Sequence, residues 1–90
     1  LIYQKIMHDL HVADKIHKLV LEQAKKNNLK QVKKILIDLG SVIEHGADIS
    51  SENLEFNLQM LSRNTVAEGA KVKINKVDGS SWELISIAGD

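Results

Sequence analysis

Residues 7 to 11 read Met-His-Asp-Leu-His and stand at the mouth of a helical pattern. Imidazole nitrogen and carboxylate oxygen are donors that suit nickel, copper and zinc. His8 and His11 are three apart, a spacing that brings two side chains to one helix face. Glu44, His45 and Asp48 gather more ligand types in a later loop. Taken as residues alone, two histidines so spaced are more often surface groups than ligands, and Glu44, His45 and Asp48 read equally as solvated loop residues. His17 flanks the apolar stripe of the helix and reads as a packed structural histidine.

Other chemistry finds no support. Asp14, Asp38 and Glu68 have no spacing that pairs them as acid and base, and no nucleophile has a histidine beside it. Gly40 and Gly46 do not form a phosphate-binding loop. In TVAEGA, residues 65–70, Gly69 most simply lets the chain swing from helix to strand, and Glu68 reads as a local hydrogen-bonding group. No catalytic activity is expected.

The elements that must position these residues follow from periodicity. LIYQKI, rich in strand formers, reads as a short front strand or ordered arm. From Asp9 to about Asn27, Leu10, Ala13, Ile16, Val20 and Ala24 recur at helical spacing, with Asn27-Asn28 as the stop. Ile35, Ile37 and Leu39 alternate in a half-buried strand closed by Gly40. A loop with a turn at Gly46 leads to Ser50 or Ser51, either of which can cap a helix over about 51–63. That helix is apolar over a wide arc, Leu54, Leu58 and Leu61 on one edge and Phe56 and Met60 toward the other, and so needs two neighbours. The last third reads as a hairpin with the loop Asp78 to Ser81, pairing Val77 with Trp82, Ile74 with Ile85 and Val72 with Ile87. The fold class is then α+β: two helices on a small, mostly antiparallel sheet of three to four strands, in one domain over residues 1–90.

The chain has 90 residues, twelve cations against twelve acids, and no cysteine or proline. Balanced charge argues against a nucleic-acid or membrane-surface protein. The cluster Lys25, Lys26, Lys30, Lys33 and Lys34 reads as a solvated corner between helix and strand. No run approaches a membrane span, LIYQKI is too polar for a signal peptide, and a cytoplasmic location is expected.

MHDLHVADKIHKLVLEQAKKNNLKQVKKILIDLG, from Met7 to Gly40, resembles without a gap the opening of the HypA/HybF family of hydrogenase-maturation nickel-insertion proteins. Those chains begin Met-His-Glu-Leu, pass through a helix ending in Ala-Lys-Lys, and enter a strand closed by glycine. LEFNLQMLSRNTVAEGAKVKINKV resembles the family's second helix, its Thr-Ile-Ala-Glu-Gly-Ala connection and the next strand. The resemblance implies a nickel metallochaperone. Family members hold the metal with the amino terminus, backbone amides and the second-residue histidine, and pass it with a partner GTPase, HypB, to the large-subunit precursor of nickel-iron hydrogenase, in some bacteria also to urease.

Carried to this sequence, the nickel(II) site is Met7, His8 and Asp9, through backbone and side chain, with His11, Glu44, His45 and Asp48 as further candidates. Implied partners are a HypB-type GTPase, the hydrogenase precursor and a urease accessory protein.

The sequence departs from the pattern in four places. The family's zinc lobe, with two Cys-x-x-Cys pairs, is missing between about 77 and 80, so no zinc is expected. Met7 is preceded by six residues. The loop between Gly40 and Leu54 is longer than usual. The family's last strand is expected beyond Gly89-Asp90, a place LIYQKI could fill. These departures leave a second reading open, an interaction scaffold whose metal site is blocked. They also suggest a homodimer or strand exchange through an exposed strand edge or the second helix.

Overall fold

The computed structural model describes the backbone of residues 2–44 and 47–90 and the side chains of residues 11–43 and 48–90. In chain order the elements are α1 (Ile2–Lys26), β1 (Val32–Leu39), β2 (Ile43–Glu44), β3 (Ala47–Asp48), α2 (Ser51–Leu61), β4 (Lys71–Lys76) and β5 (Trp82–Gly89). Strands β4, β1 and β5 form a three-stranded sheet in that order, and β2 and β3 a separate two-stranded ladder. Two helices on a small sheet make the α+β layering that the sequence implies.

The periodic stripe of α1 becomes its buried face: Val12, Ala13, Ile16, Val20 and Ala24 are all under 5% exposed. The helix stops at the two asparagines. Asn28 takes a left-handed φ of 56°, its amide donates to Lys25, and the Leu29 amide donates to the Ala24 carbonyl. That pair of bonds is a Schellman cap, and Asn tolerates its left-handed position better than most residues. Lys25 and Lys26 add cations to the last turn, where they oppose the helix dipole.

The front strand is not formed. Residues 2–6 extend α1 toward the amino terminus instead. No proline or glycine breaks the segment, and Gln4 and Lys5 are good helix formers, so propagation from an established helix wins over strand propensity. The extra front strand that LIYQKI was expected to add is therefore absent from the sheet, which has the three strands β4, β1 and β5.

The expected hairpin is also not formed. β4 and β5 do not pair with each other; both pair with β1, β4 in parallel and β5 antiparallel. Ile37 aligns with Ile74 on one side and with Leu84 on the other. The Asp-Gly turn signal misled because it is local, whereas the most apolar strand gains most from the central position, covered on both edges. Helix α2 supplies the crossover that parallel β1 and β4 require. On β5 a register shift sets Ile85 and Ser86 against Leu36. This bulge turns Leu84 and Ile87 to the helices and leaves Ile85 43% exposed, not inward as the hairpin register implied.

The link from β4 to β5 crosses the end of β1. The Gly40 amide donates to the Ser81 carbonyl and the Ser41 amide to the Gly79 carbonyl, each at 2.8 Å. A Cβ on Gly40 would lie 2.7 Å from the Gly79 oxygen and 2.9 Å from that of Ser81, both backbone atoms. Gly40→Ala should therefore force the link away and destabilise the fold by about 1–3 kcal/mol, as overpacking does. An unchanged urea midpoint would show that the link yields freely.

Ser50 caps α2, accepting from the Asn53 amide at 3.1 Å. Beyond α2, TVAEGA is a built turn. Thr65 Oγ1 donates to the Ser62 carbonyl and accepts from the Ala67 amide, Glu68 Oε1 accepts from the Asn64 amide, and Gly69 has φ +78°. The Val66 carbonyl accepts from the Val32 amide at 2.7 Å, fixing the turn to the start of β1. Structure thus accounts for the motif, as the sequence suggested for Gly69 and Glu68.

Candidate metal centre

Met7, His8 and Asp9 fall inside α1, which begins five residues earlier. Their side chains lie outside the described residues. Their place in the backbone has a chemical consequence nonetheless. In an α-helix each amide from the fifth residue on donates to a carbonyl four residues back, so these nitrogens are engaged. A square-planar nickel clamp uses consecutive backbone nitrogens as ligands. In this chain such a clamp competes with helix hydrogen bonds and lacks a free amine at Met7.

The other described candidates lie on α1 and on the β2–β3 ladder. His11 is exposed on α1, on the side away from the buried stripe. Glu44 is in β2 with its side chain undescribed, and His45 lies outside the described residues together with the expected turn at Gly46. Asp48 is exposed on β3, its carboxylate 3.4 Å from the Ser41 hydroxyl, which donates weakly at that length. The Ile49 amide donates to the Val42 carbonyl, and Ile49, 2% exposed, anchors the β2–β3 hairpin to the core. Among the described residues no group of three or more His, Asp or Glu side chains could hold a metal ion.

Asp14 and Asp38, the acids weighed in the sequence for acid–base chemistry, each have a partner. Asp14 pairs with Lys18 at 3.0 Å, and Asp38 accepts from Asn75 at 3.4 Å. Trp82 is half-buried against the core. In the basic corner all five lysines are exposed, and Lys33 meets Asp90 at 2.7 Å.

His17 is buried at 9% exposure in α1. Desolvation pushes its pKa below the ordinary 6.5, while the nearby Asp14 carboxylate pulls the other way. The folded state therefore disfavours the imidazolium relative to the unfolded chain. The contribution is complete above about pH 6.5 and is lost as pH falls through that value, because the unfolded state then binds the proton more readily. His17→Gln should flatten the fall of unfolding free energy between about pH 7 and about pH 5. Parallel pH profiles for the two proteins would remove His17 from the account.

This architecture defines a small two-layer α+β domain with its histidine-bearing segment on the first helix. The family model for hydrogenase/urease nickel incorporation, the HypA metallochaperone, matches residues 7–82. The chain is also similar to proteins named hydrogenase maturation factor HypA. It is 32% identical over 76 residues to that of Azoarcus sp. strain BH72, covering 84% of this chain and 63% of the relative. With that of Azotobacter chroococcum it shares 31% identity over 78 residues, covering 87% and 66%. With that of Methanobrevibacter smithii it shares 35% over 71 residues, covering 79% and 54%. The chain belongs to the HypA family, and it spans about two thirds of the length of the first two relatives. No helix among the described residues is long and apolar enough to cross a membrane.

Proposed function

We propose that this chain is a nickel-delivery domain that takes nickel(II) as cargo at Met7, His8 and Asp9 for the maturation of nickel-iron hydrogenase or urease. The observation that carries the reading is the start of the family match at Met7, the position that the resemblance equates with the nickel-binding terminus. With a free amine at Met7, consecutive main-chain nitrogens and the His8 imidazole form the nitrogen-rich set that nickel favours. His11, Glu44, His45 and Asp48 are the further donors of this reading. The domain moves an ion and performs no bond chemistry on it. It acts in the cytoplasm with a HypB-type GTPase, a hydrogenase large-subunit precursor or a urease accessory protein.

The five-residue link 77–81 is the place where we put the zinc lobe of longer family members. It crosses directly over Gly40, so an inserted lobe would sit at the end of β1.

A second reading has its own support. The helical placement of Met7–Asp9 favours a masked site in this chain, and with it a scaffold whose partner binding is indifferent to metal. Nickel transfer separates the two. A nickel-loaded chain beginning at Met7 should load the hydrogenase precursor in the presence of the GTPase, and His8→Ala should abolish the transfer. Partner binding that survives both His8→Ala and chelation, with no transfer above that of free nickel, would favour the scaffold.

A further inference from the structure

The sheet face turned away from the helices carries an ordered set of charges. Along β1 the outward positions are Lys34, Leu36 and Asp38, alternating with buried Ile35, Ile37 and Leu39. Register extends each into a row: Lys71, Lys34 and Ala88; Lys73, Leu36 and Ser86; Asn75, Asp38 and Glu83. One end of the face is basic and the other acidic. Within each end the fold sets like charges side by side, Lys34 beside Lys71 and Asp38 beside Glu83. Neighbouring strands are ~4.8 Å apart, and like charges directly across a strand pair are unfavourable. Among the described residues the ion pairs are Asp14–Lys18 and Lys33–Asp90, which leave Lys34, Lys71, Lys73 and Glu83 without one. A shallow trough of about 480 Å³ runs over the basic end, floored by Leu36 and Ala88.

We propose that this open face is a self-association surface that takes a second copy of the chain, packed face to face about a two-fold axis lying across the strands. That axis lays the basic end of each copy on the acidic end of the other, bringing Lys34 to Asp38 of the second copy twice over, with Leu36 and Ile85 near the centre. An axis along the strands would instead stack Lys34 on Lys34 and Asp38 on Asp38. The axis across them has Lys73 on Lys73, at the edge strand β4, as its one like-charge contact, so charge favours the axis across the strands. Isologous pairing of this kind requires a self-complementary patch, and a face with opposite charges at its two ends is one.

Simpler accounts explain less. Lysines on an edge strand deter unwanted strand pairing, which covers Lys71 and Lys73 on β4 but not Lys34 on the central strand. A nucleic acid would be repelled by Asp38 and Glu83, and the three rows offer no aromatic ring for a base to stack on. Three strands of about six residues cover roughly 15 by 20 Å, well under the ~800 Å² per partner of a stable interface. The dimer is accordingly weak and reversible, with a dissociation constant in the micromolar range or above. This surface is independent of the nickel reading.

Sedimentation velocity on the full chain tests it, over about 5 to 500 μM and at roughly 50 and 500 mM salt. The expected result is a monomer–dimer equilibrium that weakens at high salt. The double variants Lys34→Glu with Lys71→Glu, and Asp38→Lys with Glu83→Lys, should each weaken self-association by about tenfold or more. Mixing the two variants in equal amounts should restore a heterodimer, a gain that misfolding cannot imitate. A monomer at every concentration would overturn the proposal. So would a dimer that both variants retain, which would point to strand-edge pairing, or a mixture that fails to associate.

Discussion

Ile37→Ala is expected to remove about 2–5 kcal/mol of folding stability, the usual cost of deleting most of a large aliphatic side chain from a close-packed core. Ile37 has no exposed surface and occupies the central strand, aligned with Ile74 on β4 and Leu84 on β5. All three belong to or pack against the core cluster formed with α1 and α2. Strands on both sides and helices above leave little freedom to collapse into the space. A domain of this length has a total stability of about 5–13 kcal/mol, so the variant should sit near its folding limit at physiological temperature. Ile85→Ala provides the control: Ile85 is 43% exposed on the bulge, and its truncation should cost less than about 1 kcal/mol. Equal urea midpoints for the two variants would contradict the assignment of inner and outer sheet faces.

A larger effect is expected at the amino-terminal end. A chain that begins at Met7 should bind nickel more tightly than the chain with residues 1–6 by at least about a hundredfold, since losing a direct ligand exceeds the 10–100-fold cost of losing an outer-shell contact. The extension acts in two ways. It converts the Met7 amine into an amide, and it continues α1 back to Ile2, so that the amides of residues 7–9 serve the helix. Binding through those nitrogens requires deprotonation and local unwinding, and both oppose the metal. The geometry should differ as well. A four-nitrogen set gives square-planar, diamagnetic nickel, whereas His8 with carboxylates and water gives a paramagnetic octahedral ion. Magnetic susceptibility separates the two, and paramagnetic nickel in the Met7-start chain would contradict the amide clamp.

Much of the fold was legible in the sequence because its signals are local. The stripe Ala13, Ile16, Val20 and Ala24, the stop at Asn28, the alternation of Ile35, Ile37 and Leu39, and the Ser50 cap each depend on a few neighbours in the chain. Strand pairing was less legible. Val72, Ile74, Ile85 and Ile87 alternate as well for a hairpin as for two strands flanking a third, and only competition for the central place decides between them. The bulge at Ile85 had no sequence signal, since both readings put an apolar residue there. The end of LIYQKI was misread because β-branched and aromatic residues favour strands only when a sheet edge is free to receive them. At the candidate site, the start of the resemblance at Met7 was readable, and the family match over 7–82 bears it out. The engagement of the Met7–Asp9 amides in a helix was not, because it depends on residues 2–6 continuing α1.

The most direct test of nickel delivery is a calorimetric titration of three proteins with nickel(II): the 90-residue chain, a chain beginning at Met7, and the latter carrying His8→Ala. The expected result is one nickel bound tightly by the Met7-start chain, the same nickel bound at least about a hundredfold more weakly when residues 1–6 are present, and none bound by the His8→Ala chain. Equal binding by all three would put the site elsewhere, and no binding by any would leave a HypA fold without its metal.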